Sequence, residues 1–271
     1  MDVISKIISK VKILFEIKYK YLLSGSYVRV EKGSKLEIEK NVTLKNVKIY
    51  LQDNSEIRIK KNSSILNSKI HIYNSGKLFI NSDVKINMVN GFISGEVYVG
   101  KDTFITNGNS LGVFHLNVSS GKVEIEDHVM IRCYRILVRF GGYLKIGAYT
   151  NINEGSEIRA DEKVVIGKYN QISFNCMIWD TNTHNIYSYD KRRELTRSKF
   201  PNFGYEYEKP KTKPVYIGDD CWLGREASVL KGTVIGVKCV VGYRTTVVGV
   251  DYPDNTTIVS EIRNNTFKNK I

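Results

Sequence analysis

The histidines are the first candidates for chemistry, because a neutral imidazole can accept a proton near pH 7. The chain has four of them. A lone histidine is more often a packed or solvated residue than a catalyst, and we interpret His71, His115 and His128 in this way. His184 differs, because it ends a regular repeat and opens a long segment that has no repeat. His184 is therefore the candidate general base, and Asp180, four residues earlier, either orients it or only forms a turn.

A six-residue repeat surrounds these positions. In residues 215–248 every sixth residue is aliphatic, and glycine follows four of these residues. Neither a helix nor a flat strand has this period, but a parallel β-helix does, because three short faces make one turn. The aliphatic residue points into the core. Trp222 is the sixth residue of its hexad and is expected to point outward, where a large aromatic side chain needs a partner or a ligand.

A looser repeat precedes the hexads. Short alternating strands begin at Leu36, and the next ones follow at spacings of 21, 21, 19, 26, 21, 20 and 51 residues, at positions 57, 78, 97, 123, 144, 164 and 215. We interpret them as successive turns of one solenoid. The last spacing contains one turn plus an excess at residues 184–213, which are rich in charge and tyrosine. A long loop that leaves a rigid solenoid is usually functional.

Residues 3–23 have the apolar periodicity of an amphipathic helix and lack the features of a signal peptide. No segment is long and apolar enough to span a bilayer, so a cytoplasmic location is predicted. Two roles remain open for this helix. It covers the first turn of the solenoid or packs between subunits, or it holds the protein at the inner face of an anionic membrane.

Composition excludes several functions. The net charge is +13, but the lysines are spread along the chain and no nucleic-acid-binding motif is present, so no nucleic-acid partner is predicted. Three of the four cysteines occupy the small position of a hexad and are expected to be buried: Cys176, Cys221 and Cys239. The histidines are too far apart in sequence for a three-histidine zinc site, so no metal is predicted.

Residues 144–258 resemble the hexapeptide-repeat acyltransferases, specifically the maltose and galactoside O-acetyltransferases and their relatives in surface-polysaccharide synthesis. The resemblance depends on three segments: IGAYTNIN at 146–153, IGKYNQISFNCMIWDTNTH at 166–184, and KPVYIGDDCWLGREASVLKGTVIGVKCVVGYRTTVVGVDYP at 213–253. The last is the most specific, with its W-[IL]-G step, two further hexads and D-x-P ending. Residues 1–120 share only the general β-helix character.

The resemblance implies an all-β, left-handed parallel β-helix and a homotrimer that transfers an acetyl group from acetyl-CoA to a sugar hydroxyl. In the family, a histidine at the start of the long loop is the general base, and His184 matches it, in the D-x-x-x-H context from Asp180. The family's acceptor-side asparagine in the Y-x-N step matches Asn151, with Tyr149 beside it. The groove-lining tryptophan matches Trp222.

The resemblance also places the donor against Trp222, Gly224, Gly242, Tyr243 and Arg244, in a groove between neighbouring subunits. The sequence departs from the family here. Tyr243 replaces a small residue, and the closing segment after Val248 lacks the usual lysine before its aspartate and reads SEIRN at 260–264.

The leading hypothesis is thus an acetyl-CoA-dependent O-acetyltransferase of a capsule, lipopolysaccharide or other surface glycan. One alternative is N-acetylation of an amino sugar, and another is a non-catalytic, self-associating β-helix. The predicted organisation is a helix at 1–25, irregular repeats at 26–120, a regular β-helix domain at 121–258 with an inserted loop at 184–213, and a tail at 259–271.

Overall fold

The computed structural model describes residues 24–107, 112–202 and 208–261. The predicted helix at 3–23 lies outside the described residues. The strands are short, and their side chains alternate between buried and exposed. Every pairing between them is parallel, so each strand stacks on the strand one turn earlier. This is the architecture of a parallel β-helix, and the predicted fold class is confirmed.

Each turn contributes up to three strands, which form three faces. The first face contains β7 (Lys85–Asn87), β10 (Phe104–Ile105), β13 (Met130–Ile131), β16 (Asn151–Ile152), β19 (Gln171–Ile172), β22 (Trp222–Leu223), β25 (Val240–Val241) and β28 (Thr257–Ile258). The second face contains β1 (Tyr27–Val30), β8 (Val89–Ile93), β11 (Phe114–Val118), β14 (Arg135–Val138), β17 (Glu157–Ala160), β20 (Met177–Trp179), β23 (Ser228–Leu230) and β26 (Thr246–Val248). Two longer strands span both of these faces: β3 (Thr43–Leu51) and β5 (Ser64–Ile72).

The third face is a separate ten-stranded sheet. It contains β2 (Lys35–Ile38), β4 (Glu56–Ile59), β6 (Lys77–Ile80), β9 (Glu96–Val99), β12 (Lys122–Ile125), β15 (Tyr143–Ile146), β18 (Lys163–Ile166), β21 (Val215–Ile217), β24 (Val234–Ile235) and β27 (Asp251–Tyr252). Leu36 pairs with Ile57, and Ile57 with Leu78, as the 21-residue spacing predicts. Val164 pairs with Val215 across the 51-residue spacing.

One hydrophobic core runs through the whole solenoid, from Val42 to Val247. It is continuous across residues 120 and 121, since Val118 and Val123 are both fully buried. The division of the chain into domains at that point stays a prediction. The four cysteines are buried in the same core as free thiols. Burial raises the pKa of Cys176 and of Cys221 to about 11, so these thiols stay protonated at neutral pH.

The insertion leaves the solenoid after β20 and returns before β21. It contains a helix that the sequence pattern did not predict, α1 (Tyr189–Ser198), whose first turn is capped by the Ser188 hydroxyl accepting from the Lys191 amide. No residue of α1 is buried. The helix thus projects from the solenoid instead of packing into its core, which explains why its sequence shows no apolar repeat.

Candidate functional site

The two ends of the insertion are held together at the corner between the second and third faces. Thr181 and Thr212 form an antiparallel bridge, the only such pairing among the described residues. The Asn182 amide donates to the Lys211 carbonyl at 3.0 Å, and the Lys213 amide donates to the Asp180 carbonyl at 2.9 Å. This short antiparallel stem fixes where the insertion begins. The candidate base, His184, follows two residues after Asn182, the last residue that the stem pairs on this side.

Asp180 anchors that stem from the solenoid side. Its buried carboxylate accepts hydrogen bonds of 2.6–2.8 Å from the backbone amides of Asp161, Glu162 and Lys163, which form the corner of the preceding turn. Burial raises the pKa of the Asp180 carboxyl, and the three amide donors oppose this shift. Asp180 therefore ties two turns together. Its predicted contact with the His184 imidazole stays a prediction.

His184 lies five residues after the end of β20, on the solvent side of the stem. Its backbone amide donates to the Asn182 carbonyl at 2.7 Å, which closes a tight turn. The side chain is exposed. A base that must reach a substrate hydroxyl needs such access, and the stem gives it a fixed origin.

The indole of Trp179 lies directly before this junction, and the sequence analysis did not single it out. The Arg159 guanidinium stacks over its ring at 4.4 Å, and Arg159 is paired with Glu157 at 2.8 Å. The indole nitrogen is buried and has no hydrogen-bond partner in the described chain. The signal was available, since the chain has only two tryptophans and Trp179 is one of them.

Asn151 and Trp222 share the first face. Asn151 pairs with Gln171, and Gln171 pairs with Trp222, so the three side chains form one outward column over successive turns. The carbonyl oxygen of the Asn151 side chain is buried without a partner among the described residues. Trp222 is 56% exposed, as its place in the hexad predicts. An amide and an aromatic ring thus lie two turns apart on the same outward face.

Tyr149 lies at the corner just before this column. Its ring stacks on His128 at 4.7 Å and on Tyr169 at 5.0 Å, and all three residues have positive φ at the same corner of successive turns. This stacking gives Tyr149 and His128 a structural role. The predicted contact of Tyr149 with a substrate stays a prediction.

The glycines assigned to the donor have a packing reason as well. A Cβ on Gly224 would lie 2.8 Å from the Tyr243 nitrogen, and a Cβ on Gly242 would lie 2.8 Å from a Val259 methyl. Tyr243 is about half exposed, and the Arg244 guanidinium stacks over its ring at 4.9 Å while pairing with Glu226 at 2.5 Å. Trp222 and Tyr243 are therefore the exposed aromatic groups of the predicted donor side.

A concavity of about 410 Å³ adjoins the first face at its corner with the second face. Its lining includes two exposed rings, Tyr134 and Phe174, together with Glu154, Asn175 and Arg225. The sequence analysis missed these residues, because they occupy corner positions that the hexad rule leaves unrestricted.

Within one chain the predicted site is divided between faces. His184 follows a strand of the second face, whereas Asn151 and Trp222 belong to strands of the first face. In the described part of the chain, no group of three or more histidine, cysteine or carboxylate side chains could hold a metal ion. The described residues also contain no helix of the length and apolarity that crossing a bilayer would require.

Two curated proteins are similar to part of the chain. A protein of Mycobacterium tuberculosis named as a probable acetyltransferase is 30% identical over 127 residues, which cover 47% of this chain and 36% of that protein. WbbJ of Escherichia coli, whose name assigns it to lipopolysaccharide biosynthesis as an O-acetyl transferase, is 33% identical over 107 residues, covering 40% and 51%. The resemblance to acetyltransferases is confirmed.

The chain spans between about a third and a half of the length of these acetyltransferases. No family model matches it. Among solved structures, the polysialic-acid-specific acetyltransferase NeuO is 17% identical with a TM-score of 0.46, covering 91% of this chain and 92% of that one. A hexapeptide-repeat acetyltransferase of Vibrio cholerae is 23% identical with a TM-score of 0.36, covering 46% and 62%.

Proposed function

We propose that the protein is an acetyl-CoA-dependent O-acetyltransferase that acts on a sugar hydroxyl of a surface glycan, with His184 as the general base. The similarity to the two curated acetyltransferases carries this proposal, since one of them is named as an O-acetyl transferase of lipopolysaccharide biosynthesis. The exposed His184, fixed at the end of the Thr181–Thr212 stem, supports it.

The chemistry requires few protein groups. The imidazole of His184 removes the proton of the acceptor hydroxyl as the oxygen attacks the thioester carbonyl carbon. The new C–O bond forms, the C–S bond breaks, and the CoA thiolate leaves with the proton that the imidazolium returns. Such a base contributes about 10²–10⁴ in rate, and holding donor and acceptor together contributes further. The buried cysteines take no part in this scheme.

We infer that the functional site is completed by a neighbouring subunit in a homotrimer. His184 and the Asn151–Trp222 column lie on different faces of one solenoid. When two solenoids pack side by side, a first face of one copy can be placed opposite the stem of another, which brings the base, the acceptor amide and the exposed rings to one groove. Trp222 and Tyr243 would then flank the donor.

The test of the base is His184→Ala, assayed by release of the CoA thiol. We expect turnover to fall by about 10²–10⁴ with the circular dichroism spectrum and melting temperature unchanged. Ile186→Ala serves as the control, because Ile186 is also exposed and lies two residues further along the insertion. An unchanged kcat in the His184 variant would refute the mechanism. A screen of hydroxyl against amino acceptors separates O-acetylation from N-acetylation.

The test of the assembly is the mass in solution. We expect light scattering at micromolar concentration to give three times the mass of the 31.0 kDa chain. Mixing His184→Ala with Trp222→Ala subunits adds a functional test, because some grooves in mixed trimers receive both intact residues. Activity should therefore reappear on mixing. A monomeric mass would contradict the shared site.

A further inference from the structure

The first turns of the second face carry outward side chains that include no acidic residue. We call this surface, formed by the outward residues of β1, β3, β5, β8, β11 and β14, the basic face. Its members form two columns along the solenoid axis. One column is Tyr27, Lys48, Lys69, Asn90, His115 and Arg135, and the other is Arg29, Tyr50, His71, Phe92, Asn117 and Leu137.

The third face of the same turns shows what an ordinary charged surface of this solenoid looks like. It carries glutamates in register with its cations, so that Arg58 pairs with Glu37 at 3.2 Å and Lys77 pairs with Glu96 at 2.7 Å across adjacent rungs. Pairs of this kind remove the repulsion between neighbouring rungs. The basic face differs from this pattern at its centre, where Lys48 and Lys69 have no glutamate in register. At its two ends the arginines are paired, Arg29 with Glu31 at 3.1 Å and Arg135 with Glu157 at 2.5 Å.

Two lysines at the centre of the basic face are stacked directly on each other. Lys48 and Lys69 are partners on adjacent rungs, both are exposed, and neither forms an ion pair with any carboxylate of the described chain. Like charges at directly opposed positions are destabilising. An anion between the two ammonium groups would relieve this repulsion.

Polar amides and aromatic rings flank the lysine column. On one side, at the corner of the solenoid, Asn46 donates to Asn67 at 3.1 Å and Asn67 donates to Asn87 at 3.0 Å. A groove of about 340 Å³ lies here, lined in part by Lys48 and Lys69. The amide ladder gives the groove a row of hydrogen-bonding groups with a fixed direction.

On the other side of the lysines, the half-buried rings of Tyr50, His71 and Phe92 form a continuous column. Their centroids are 5.7 and 6.0 Å apart, with interplanar angles of 56° and 52°. Each ring already contacts the next, so no nucleobase can insert between them. The Lys69 ammonium lies over the Phe92 ring at 5.8 Å. A sugar ring can still lie with its C–H groups against the Tyr50 and His71 rings.

We propose that the basic face binds an extended, carboxylated glycan chain along the solenoid axis. The lysines would bind carboxylates, the asparagine ladder hydroxyls, and the aromatic column the sugar rings. Because this surface lies on turns that precede the candidate catalytic region, it would hold a remote part of the acceptor of the proposed reaction, and in that respect it rests on the proposed function. Binding energy from such remote parts can support catalysis at the reacting group.

The charge of the chain disfavours other occupants. Residues 1–23 contain five lysines and two acidic residues, so this segment does not complement the charge of the basic face. A single-stranded nucleic acid would complement the charge of the basic face. Its bases could not stack in the ring column, however, because bases bind to free aromatic faces and these rings already contact one another.

The experiment measures binding of the full chain to polyuronates and to sialic-acid polymers, by calorimetry, with carboxyl-reduced versions of the same polymers as neutral controls. We expect at least one carboxylated polymer to bind and its reduced version to bind much more weakly. The double variant Lys48→Gln and Lys69→Gln should weaken this binding roughly tenfold or more, because each charge-assisted contact is lost. The matched control is Lys60→Gln with Lys61→Gln, at an exposed corner away from the basic face.

Equal binding of the carboxylated and reduced polymers, or of the two double variants, would overturn the proposal. So would binding of oligo(dT) or of phosphatidylglycerol vesicles with the same dependence on Lys48 and Lys69. Failure of the proposed enzymatic function is measured separately, as the absence of CoA release with any acceptor. Turnover of a short neutral acceptor should be the same in the Lys48/Lys69 variant as in the unaltered protein.

Discussion

At the scale of single residues, Trp222 is the side chain whose exposure most needs a reason. More than half of it is accessible, although a smaller residue would satisfy the first face equally well. A buried tryptophan ring stabilises the fold, whereas an exposed ring is available to bind a ligand. Its neighbour one rung earlier, Gln171, is also exposed.

We expect Trp222→Ala to weaken CoA or acceptor binding more than it lowers the stability of the fold. The measurement pairs calorimetric titration with CoA and a thermal melt of the same sample. Val240→Ala, one rung later in the same column, controls for truncation of an outward side chain. If the Trp222 variant melts early and binds CoA normally, the ring serves only in packing.

At the scale of elements, the insertion shows where sequence reasoning succeeds and where it stops. The strands of the third face were predicted from β2 to β21, because an inward side chain must recur whenever the chain completes a turn, and this recurrence can be counted. The last strand, β27, follows the end of the hexads and was not predicted. The paired lysines and glutamates follow the same period. The helix α1 was not predicted, since none of its residues is buried and burial is what produces a countable pattern.

The stem of the insertion was also beyond the sequence, for a related reason. Asp180 was recognised as a polar residue near the base, but its three amide donors come from residues 161–163, one turn earlier. Contacts between backbone groups and a side chain on another turn leave no residue-type signal. The sequence thus proposes which residues form the candidate site, whereas the anchoring of the stem and the division of these residues between two faces required the structure.

We expect Asp180→Ala to destabilise the protein, because three backbone amides lose their acceptor at the base of the stem. The cost should be about 1–3 kcal/mol or more in the free energy of unfolding, measured by urea denaturation. Asp190→Ala, at the exposed start of α1, should change stability little. A fall in kcat with unchanged stability would instead favour the role in which Asp180 orients the His184 imidazole.

At the scale of the whole molecule, a solenoid has two ends where the stacking stops, and the described residues cover the first of these only in part. Val28, Val30, Leu36 and Ile38 pack against the core but are only partly buried, while Ile57 and Ile59, on the next strand of the third face, are at most 1% exposed. The burial of apolar side chains provides most of the stability of a repeat protein, so a terminal turn needs a cover.

The segment at 1–23 is the part of the chain that precedes this end, and its deletion tests the two roles that its sequence allows. If it covers the first turn, the shortened protein should aggregate or melt at a much lower temperature, since four apolar side chains would gain exposure. If it contacts membranes, the shortened protein should stay stable and active but no longer sediment with anionic liposomes.

Replacing the five lysines of the segment by glutamine is the matched control, because it removes attraction to the liposomes and keeps the apolar face. We expect the deletion to reduce stability, and a melting temperature equal to that of the full chain would contradict the covering role.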